Sequence, residues 1–555
     1  MEPHPFRLIR NLGRTREIAA VLINHGFGDV LARVGLRSFW QRWTRWVFRR
    51  PDPPPPELTV YARVRLSLEA LGPTFIKFGQ VMSTRPDLIP ADMIAELQKL
   101  QEQVPPFPSE EAVAALQRDL GRPLDQLYAR FDRKPLAAGS LAQVHRAWHF
   151  DGTPLAIKIR RPNAVRDIER DLSLMQELAL LAERHLPETR VFDPSGLVNH
   201  FARTVRRELN FAREGRTMEE FARMFRDDSS LYVPQVYGDL TTEGVLTMEF
   251  IDGLRVDDMS DPALWPCNPA DIAVRGARLF MKQAFEYGMF HGDPHPGNFR
   301  VRPDGAICLL DYGMVGMLDD ATREQLIDLF VAIARKDVDT AMEMVLAIGQ
   351  PYREVDRPLL KIDMRDFVAN YYGVELERLN VGHMLSDFVS ILSQHGIRCP
   401  GSISLLIRAI MTLEGIGRAL DPGFNLAKHL QPYVERLVKD RYQPSQMADR
   451  LLKRSKRVWA AAEQLPGYVA TTLGKLSADE LQIQLHHRGL ERFTVEVERA
   501  SNRLVVGIVM AALIVASALL IRSGADPWWI SVPTYILSSF LGLWLIYGIF
   551  RSGRL

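Results

Sequence analysis

The spacing of apolar and polar residues divides the chain into helical and strand-like stretches. Apolar residues recur at helical spacing in residues 58–104, with a break at Gly72-Pro73, and again at about 163–186 and 195–224. From residue 268 onward the pattern is mostly helical. Long helical stretches therefore surround a smaller region with a different pattern.

That smaller region has the pattern of β-strands. Two short stretches, 143–147 and 155–159, have the pattern of strands and are separated by Asp151-Gly152, a dipeptide that favours a hairpin turn. Further strands are predicted at 245–251 and 307–310. The order of elements predicts an α+β protein with a small strand-rich lobe followed by a larger helical lobe.

Two long uncharged stretches lie near the C-terminus, at residues 504–521 and 529–550. About 20 apolar residues span a bilayer, so both stretches are long enough, and the link between them predicts a tight turn. Arginines flank both outer ends, whereas only Arg522 lies in the turn. The positive-inside rule then predicts a transmembrane helical hairpin with both ends in the cytoplasm, or in the equivalent compartment of an organelle. A buried hairpin in a soluble core is the alternative.

Other features of the two termini leave alternatives open. Gly507 and Ala511 form a small-residue pair that could pack within the hairpin or between two protomers, so a homodimer stays open. Residues 33–50 are rich in tryptophan and arginine, and as a helix they could lie in the plane of lipid headgroups or dock against the protein body. No secretory signal precedes them, so the body of the protein is expected not to be exported.

Composition narrows the class of protein. The chain has 555 residues, room for two or three domains, and its 47% hydrophobic content excludes a disordered protein. The net charge of +2 gives no electrostatic reason to expect nucleic acid as a partner. The three cysteines are far apart and have no metal-ligand spacing, so free thiols in a reducing compartment are expected.

Three segments have the residues that phosphoryl transfer needs: a cation for the phosphates, ligands for Mg²⁺ and a group that positions the acceptor. Lys158 ends an apolar strand, where a lysine either snorkels at a sheet edge or reaches a charged partner. Asp293 and Asn298 are five residues apart, as the acceptor-positioning Asp and the metal-binding Asn are in the kinase catalytic loop. Asp311 follows a buried strand and begins an Asp-aromatic-Gly sequence, as the Mg²⁺ ligand of kinases does.

The same segments differ from those of an ordinary protein kinase. The segment before Lys158, residues 137–142, is rich in alanine instead of carrying the kinase glycine-rich motif. Gly292 stands where kinases often carry an arginine that reads an activation-loop phosphate. A helix signal at Asp319-Asp320 follows Gly313 within a few residues, so the usual platform for a protein substrate is nearly absent.

The chain resembles the UbiB family of atypical kinases, which is associated with ubiquinone biosynthesis. The resemblance extends from about residue 60 to the C-terminus. It rests on Lys77-Phe78-Gly79-Gln80, which matches the family's Lys-x-Gly-Gln motif, on the alanine-containing loop, on the HGDPHPGN sequence at 291–298 and on the C-terminal hairpin. Asn210 and Gly139 depart from the family's usual Asp and Ala.

The resemblance implies a set of site residues and cofactors. The cofactors would be ATP or ADP and Mg²⁺, with Lys158 pairing with Glu208 of the family's Glu-x-Asp motif and Glu214 as a secondary candidate. Lys77 and Gln80 would cover the site where a peptide would dock. The expected catalytic residues are Asp293 and Lys158; the nucleotide-binding residues are Ala137, Ala138, Gly139, Ser140, Lys158, Glu208, Glu249 and Ile251; and the metal ligands are Asn298 and Asp311.

The resulting functional hypothesis is a membrane-anchored kinase or ATPase that supports ubiquinone biosynthesis. Nucleotide turnover would handle lipid quinone intermediates or organise the enzymes that act on them, at the bacterial inner membrane with the catalytic body in the cytoplasm. The mitochondrial inner membrane is the alternative location. A nucleotide-binding scaffold without catalysis and a true protein kinase are the alternative functions.

The expected architecture is a kinase-like two-lobe fold with an N-terminal helical extension and a C-terminal transmembrane hairpin. The expected domains, in chain order, are an N-terminal basic extension with a Pro-rich linker at 1–57, the helical extension at 58–130, the N-lobe at 131–253, the C-lobe at 254–445, a helical linker at 446–500 and the hairpin at 501–555.

Overall fold

A computed structural model describes residues 12–28, 58–83, 89–100, 105–186, 193–256, 267–371 and 380–429, together with single positions between 497 and 540. Internal contacts divide the chain into two units, Met1–Met447 and Ala448–Leu555. The candidate amphipathic helix at 33–50 lies outside the described residues, and most of the predicted hairpin does too. Within the described part of the chain, no helix is both long enough and apolar enough to cross a membrane. The predicted domain boundaries stay predictions.

The first unit contains both helices and strands and has an α+β fold. The α-helices are α1 (Leu12–Asn24), α2 (Val60–Leu71), α3 (Pro73–Met82), α4 (Ala91–Leu97), α5 (Ser109–Leu120), α6 (Leu124–Leu127), α7 (Ala164–His185), α8 (Pro194–Glu208), α9 (Phe211–Met224), α10 (Pro269–Met281), α11 (Asp320–Ala334), α12 (Val338–Ile348), α13 (Arg357–Tyr371), α14 (Val381–Gln394) and α15 (Gly401–Leu420). The strands are β1 (Arg130–Phe131), β2 (Ala137–Ala138), β3 (Ala142–Trp148), β4 (Pro154–Arg160), β5 (Leu231–Tyr232), β6 (Val245–Glu249), β7 (Leu254–Arg255), β8 (Met289–His291), β9 (Phe299–Val301), β10 (Ile307–Leu309), β11 (Val315–Met317), β12 (Gln350–Pro351) and β13 (Ile397–Arg398).

The strand-rich lobe is an antiparallel sheet in the order β1-β3-β4-β6, and β2 pairs with Gln143 and Val144 at the start of β3. The predicted hairpin is confirmed, because β3 and β4 pair directly and Gly152 adopts a φ of 86° in the turn. Leu155, Ile157 and Ile159 are fully buried on one face, against α5. Lys158 points to the other face, as alternation along a strand requires.

The helical lobe contains short strands that hold the candidate catalytic segments. Strand β10 pairs in parallel with β5 and antiparallel with β9, and β8 pairs antiparallel with β11. Asp293 and Asn298 lie between β8 and β9, and Asp311 lies in the loop just beyond β10. The largest hydrophobic core lies beneath these strands and includes buried residues of α10 and α15. This core therefore fixes the ends of the strands from which the site is built.

The helical pattern at 195–224 forms two helices instead of one. Helix α8 ends at Glu208, and the Asn210 side chain accepts a hydrogen bond of 3.0 Å from the Arg213 N–H, capping α9. Asparagine and aspartate are both strong N-cap residues. The departure of Asn210 from the family's usual Asp therefore keeps the cap that places Glu214 in the first turn of α9.

Gly79 allows α3 to lie close to its neighbours. A Cβ atom at Gly79 would lie 2.3 Å from Leu100 Cδ1 and 3.0 Å from Leu68 Cδ1. Leu100 is buried, so the surrounding side chains have little space in which to move. The glycine of the Lys-x-Gly-Gln motif therefore has a packing role of its own.

We expect Gly79→Ala to destabilise the protein by roughly 1 kcal/mol, because overpacking outweighs the better helix propensity of alanine. Gly415→Ala is the matched control, since Gly415 is an exposed helical glycine with nothing within 4 Å of an added Cβ. That control should leave the Tm unchanged or raise it. Thermal unfolding of both variants tests the packing role, and a Gly79→Ala protein as stable as the control would contradict it.

Candidate active site

A three-residue charge cluster joins the two lobes. Lys158 Nζ lies 3.0 Å from both carboxylate oxygens of Glu214 and 3.2 Å from Asp311 Oδ2. The Lys158 side chain is 18% exposed and that of Glu214 only 4%. Strand β4, the first turn of α9 and the loop after β10 each supply one member of this cluster.

The expected pairing of Lys158 with Glu208 is wrong. Glu214, the secondary candidate, takes that place, and Glu208 Oε2 lies 3.0 Å from Lys77 Nζ instead. The physical reason is the end of α8 at Glu208, which puts the two glutamates on different helices. Glu208 thereby connects the α8 end to α3, whereas Glu214 faces the strand that carries Lys158.

The cluster holds one cation between two carboxylates, and the pKa values of the two carboxylates shift in opposite directions. Burial raises the pKa of Glu214 to about 7, although the Lys158 charge opposes that shift. Desolvation in the site would raise the pKa of Asp311, but the Lys158 charge and the Gly313 N–H outweigh it and hold that pKa well below its usual value. Asp311 is therefore the carboxylate that stays ionised and available to a metal ion.

The loop after β8 brings Asp293 and Asn298 towards this cluster. Asn298 Nδ2 lies 3.5 Å from the Asp293 carbonyl oxygen. His291 is buried and hydrogen-bonds through Nε2 to the Asp311 carbonyl, while its Nδ1 accepts from the Asp293 N–H. Burial lowers the pKa of His291, so the neutral ring supports both segments. His291 packs beneath the loop.

Helix α15 lies against the candidate catalytic loop, residues 291–298. Arg408 donates a hydrogen bond of 3.2 Å to Asp293 Oδ1. One turn earlier, Leu405 Cδ2 lies 2.6 Å from the position of a Cβ at Gly292, so the helix occupies the space a side chain would need there. Arg408 is not predictable from the sequence, because no local motif marks an arginine that is 115 residues from its partner.

The alanine-containing loop closes on itself. The Gly139 N–H donates to the Ala142 carbonyl at 2.8 Å, and the Gly139 carbonyl accepts from Arg161 Nε at 2.9 Å. Phosphate binding by backbone N–H groups is the use of the kinase glycine-rich loop. In this chain the Gly139 N–H already donates to the Ala142 carbonyl. This hydrogen bond restrains the loop and leaves one fewer backbone donor for a phosphate.

These segments line a cleft, here called the Lys158 cleft, with a volume of about 330 Å³. Gln80, Glu249 and Ile251 do not line it: Gln80 donates to the Leu100 carbonyl, and Glu249 accepts from the Tyr232 hydroxyl. Among the residues that the structure describes, no group of three or more His, Cys, Asp or Glu side chains forms a metal site. The predicted site residues that line the cleft are Lys77, Ala137, Ala138, Gly139, Ser140, Lys158, Glu208, Asp293, Asn298 and Asp311.

The raised pKa of Glu214 predicts a pH dependence of stability. Between its usual value of 4.5 and about 7, the folded protein keeps a proton that the unfolded chain has lost. Glu214 therefore lowers the free energy of unfolding as the pH rises through this window, and the whole loss is present above it. Glu214→Gln removes this term, so the variant should gain stability relative to the wild type as the pH rises from 4.5 to about 7.

Chemical unfolding at several pH values measures this difference directly. Glu219→Gln, at an exposed position on the same helix, is the control and should follow the wild type at every pH. A Glu214→Gln protein whose stability relative to the wild type fell over the same window would contradict the assigned direction.

Comparison with known proteins agrees with this geometry. Residues 99–345 match the model of the ABC1 atypical kinase-like domain, residues 364–425 the UbiB helical domain, and residues 488–551 the ABC1/UbiB kinase-like C-terminal domain. Helix α15 lies within the match to the helical domain.

Individual relatives cover most of the chain. A protein of Xanthomonas campestris pv. campestris named "Probable protein kinase UbiB" is 31% identical over 85% of this chain and 87% of its own length. An uncharacterized protein of Synechocystis, sll1770, is 31% identical over 77% of this chain and 74% of its own. A solved complex of Rv3197 with erythromycin from Mycobacterium tuberculosis aligns at a TM-score of 0.45 and 24% identity over 62% of this chain and 87% of that one, a likeness too distant to add to the assignment. The chain belongs to the UbiB family of atypical kinase-like proteins.

Proposed function

We propose that this protein is a membrane-anchored, Mg²⁺-dependent atypical kinase or ATPase that supports ubiquinone biosynthesis. The observation that carries the proposal is Lys158 held between Glu214 and Asp311 in a cleft that Asp293 and Asn298 also line. A cation beside a carboxylate and an amide is the arrangement that phosphoryl transfer requires. The family name connects the activity to ubiquinone biosynthesis.

The residues present fit an Mg²⁺-nucleotide. Mg²⁺ is usually held by one or two carboxylates together with the phosphates of the substrate, so a site with few protein ligands suits it. Asp311 and Asn298 would hold the metal ion, which neutralises charge on the phosphates when bound. Lys158 would bind the phosphates, and Asp293 would orient the hydroxyl or water that accepts the phosphoryl group.

The covered catalytic loop supports a small or lipid acceptor over a protein substrate. Strand β11 returns directly to pair with β8, and α11 begins at Asp320, so few residues remain for a substrate platform. Helix α15 and the Lys77–Glu208 pair lie against the same region. We infer that turnover acts on quinone intermediates or on the enzymes that handle them.

We also propose that the chain is anchored at the bacterial inner membrane, with its catalytic body in the cytoplasm. The long uncharged stretches at 504–521 and 529–550 and the arginines outside them support this. Leu504, Ile508 and Phe540 are among the described residues there, and their side chains are exposed. Membrane lipid, quinone intermediates and biosynthetic enzymes are the proposed partners, and pairing of two copies through the hairpin is compatible with them.

Lys158→Ala and Asp311→Asn should each reduce nucleotide hydrolysis by about 10²-fold or more, because each removes charge stabilisation at the phosphates. The assay uses the full chain in lipid nanodiscs and measures ADP release from Mg-ATP. Asp304→Asn, in the exposed β9–β10 turn, is the matched control and should keep wild-type activity.

Three further results, from nucleotide binding, from phosphate transfer and from cells, separate the proposal from its alternatives. Binding of Mg-ATP by the wild type without hydrolysis or transfer would favour the scaffold. Phosphate transfer to a partner protein, lost in Asp311→Asn, would favour a protein kinase. Normal ubiquinone levels in cells that contain only Lys158→Ala would contradict a catalytic role in that pathway.

Deletion of residues 501–555 should release the protein from membranes, because it removes both uncharged stretches. Fractionation of cells that express the shortened chain measures the release. If residues 33–50 also bind the membrane, both segments must be deleted before release is complete. Full retention after both deletions would contradict the anchor.

A further inference from the structure

The Asp293 carboxylate is held by a residue of helix α15. Arg408 Nη2 lies 3.2 Å from Asp293 Oδ1, and within the described part of the chain no other hydrogen bond or ion pair reaches either carboxylate oxygen. The backbone of Asp293 is held separately, since its carbonyl accepts from the His295 N–H at 2.7 Å and its N–H donates to His291 Nδ1. The loop therefore fixes the position of Asp293, whereas Arg408 fixes the direction of its carboxylate.

The candidate catalytic loop supplies no lysine or arginine to this carboxylate. Residues 291–298 read HGDPHPGN, and the side chain of His295 accepts from the Gly297 N–H at 3.1 Å. Arg408 comes from a helix 115 residues further along the chain. The cation beside Asp293 is thus a contribution of the helical domain to the loop.

Gly292 lets α15 come close enough for this contact. A Cβ atom at Gly292 would lie 2.6 Å from Leu405 Cδ2 and 3.0 Å from Leu405 Cδ1. Residues three apart on a helix lie on the same face, so Leu405 and Arg408 meet the loop at two neighbouring residues. The missing side chain at position 292 and the contact of Arg408 with Asp293 therefore depend on each other.

The stability of the fold does not require the Arg408–Asp293 pair. The two side chains are 33% and 34% exposed, so water can solvate either charge when the other is removed. Another ion pair of the same helix differs: Arg418 donates to Glu414 Oε1 at 2.8 Å, and the Glu414 side chain is only 5% exposed. Loss of Arg418 would leave a buried charge with less compensation, which is costly, whereas loss of Arg408 would not.

Arg408 approaches the carboxylate from outside the Lys158 cleft. Asp293 is among the residues that line this cleft, and Arg408 is not. Since Arg408 holds Oδ1, Oδ2 is the oxygen left to accept a proton. A general base must lie within hydrogen-bond reach of the proton it accepts, and small errors in placement reduce the rate strongly.

We propose that Arg408 is the positioning residue for Asp293: it holds Oδ1 so that Oδ2 faces the acceptor hydroxyl or water. The inference rests on the proposed phosphoryl transfer and gives the helical domain a part in it. In that step the acceptor oxygen bonds to the transferred phosphorus and its proton passes to Asp293 Oδ2, while the electron pair of the breaking P–O bond leaves with ADP. Arg408 acts through Asp293 and touches neither the phosphates nor the acceptor.

The test is the steady-state kinetics of the full chain in lipid nanodiscs, with ADP release from Mg-ATP as the readout. Arg408→Gln should lower kcat by about tenfold or more and leave the KM for Mg-ATP within about twofold, because it loosens Asp293 without touching the nucleotide. Arg408→Lys should have a kcat between those of the Gln variant and the wild type, since lysine restores the charge but not the planar guanidinium.

A double variant shows whether Arg408 acts through Asp293. Asp293→Asn combined with Arg408→Gln should have the same kcat as Asp293→Asn alone, because Arg408 then has no carboxylate to position. If the two losses multiply instead, Arg408 acts independently of Asp293 and the inference is wrong.

Arg418→Gln is the matched control, because it removes the other arginine–carboxylate pair of α15. It should lower the Tm at least as much as Arg408→Gln does and keep the wild-type kcat. Destabilisation of the helix is thereby separated from loss of the contact with Asp293.

Gly292→Ala tests the contact from the side of the loop. The three atoms nearest to an added Cβ all belong to Leu405, so alanine should displace α15 together with Arg408 and lower kcat. Addition of Leu405→Ala makes room for the Cβ and should restore part of the lost kcat. Failure of this second change to restore any activity would contradict an effect through α15.

The kinetic results distinguish failure of this inference from failure of the proposed function. A wild-type kcat in Arg408→Gln would overturn the inference and leave the proposed function intact. A raised KM for Mg-ATP at unchanged kcat would make Arg408 a nucleotide ligand, and an equal loss of kcat in Arg418→Gln would make it a structural residue. No turnover by the wild-type protein would overturn the proposed function and this inference with it.

Discussion

A lysine inside a sheet needs charged partners, and in this protein the partners come from distant parts of the chain. Glu214 is 56 residues from Lys158 in sequence, and Asp311 is 153 residues away. Their contacts require β4, α9 and the end of β10 to meet at one point. An unpaired buried ammonium group would be costly, so the two lobes are stable together only in the arrangement that also forms the cleft. Fold and site thus depend on the same ion cluster.

Helix α15 occupies the side of the candidate catalytic loop where an ordinary protein kinase has its platform for a protein substrate. Gly292 lacks a side chain, and Leu405 of α15 fills the space beside it. Arg408 of the same helix reaches the Asp293 carboxylate. The helical domain therefore provides both the cover and the cation next to the candidate catalytic loop. An acceptor in the proposed reaction would have to reach Asp293 past this cover.

Local features were predictable from the sequence, because they depend on neighbouring residues. The Asp151-Gly152 turn, the helix break at Gly72-Pro73 and the strand before Asp311 all form as the pattern indicates. The choice between Glu208 and Glu214 was not predictable, since it depends on where α8 ends and how α9 is capped. Arg408 gave no signal at all, because its role exists only after α15 packs on the loop.

The central claim is that Lys158, Asp311 and Asn298 form a site for an Mg²⁺-nucleotide. The most direct test is an experimental structure of the full chain with Mg²⁺ and a non-hydrolysable ATP analogue. The account predicts phosphates in contact with Lys158 and a metal ion bound by Asp311 and Asn298, with Glu214 still paired to Lys158. A nucleotide bound elsewhere, or a cleft in which Lys158 and Asp311 contact neither phosphate nor metal, would contradict it.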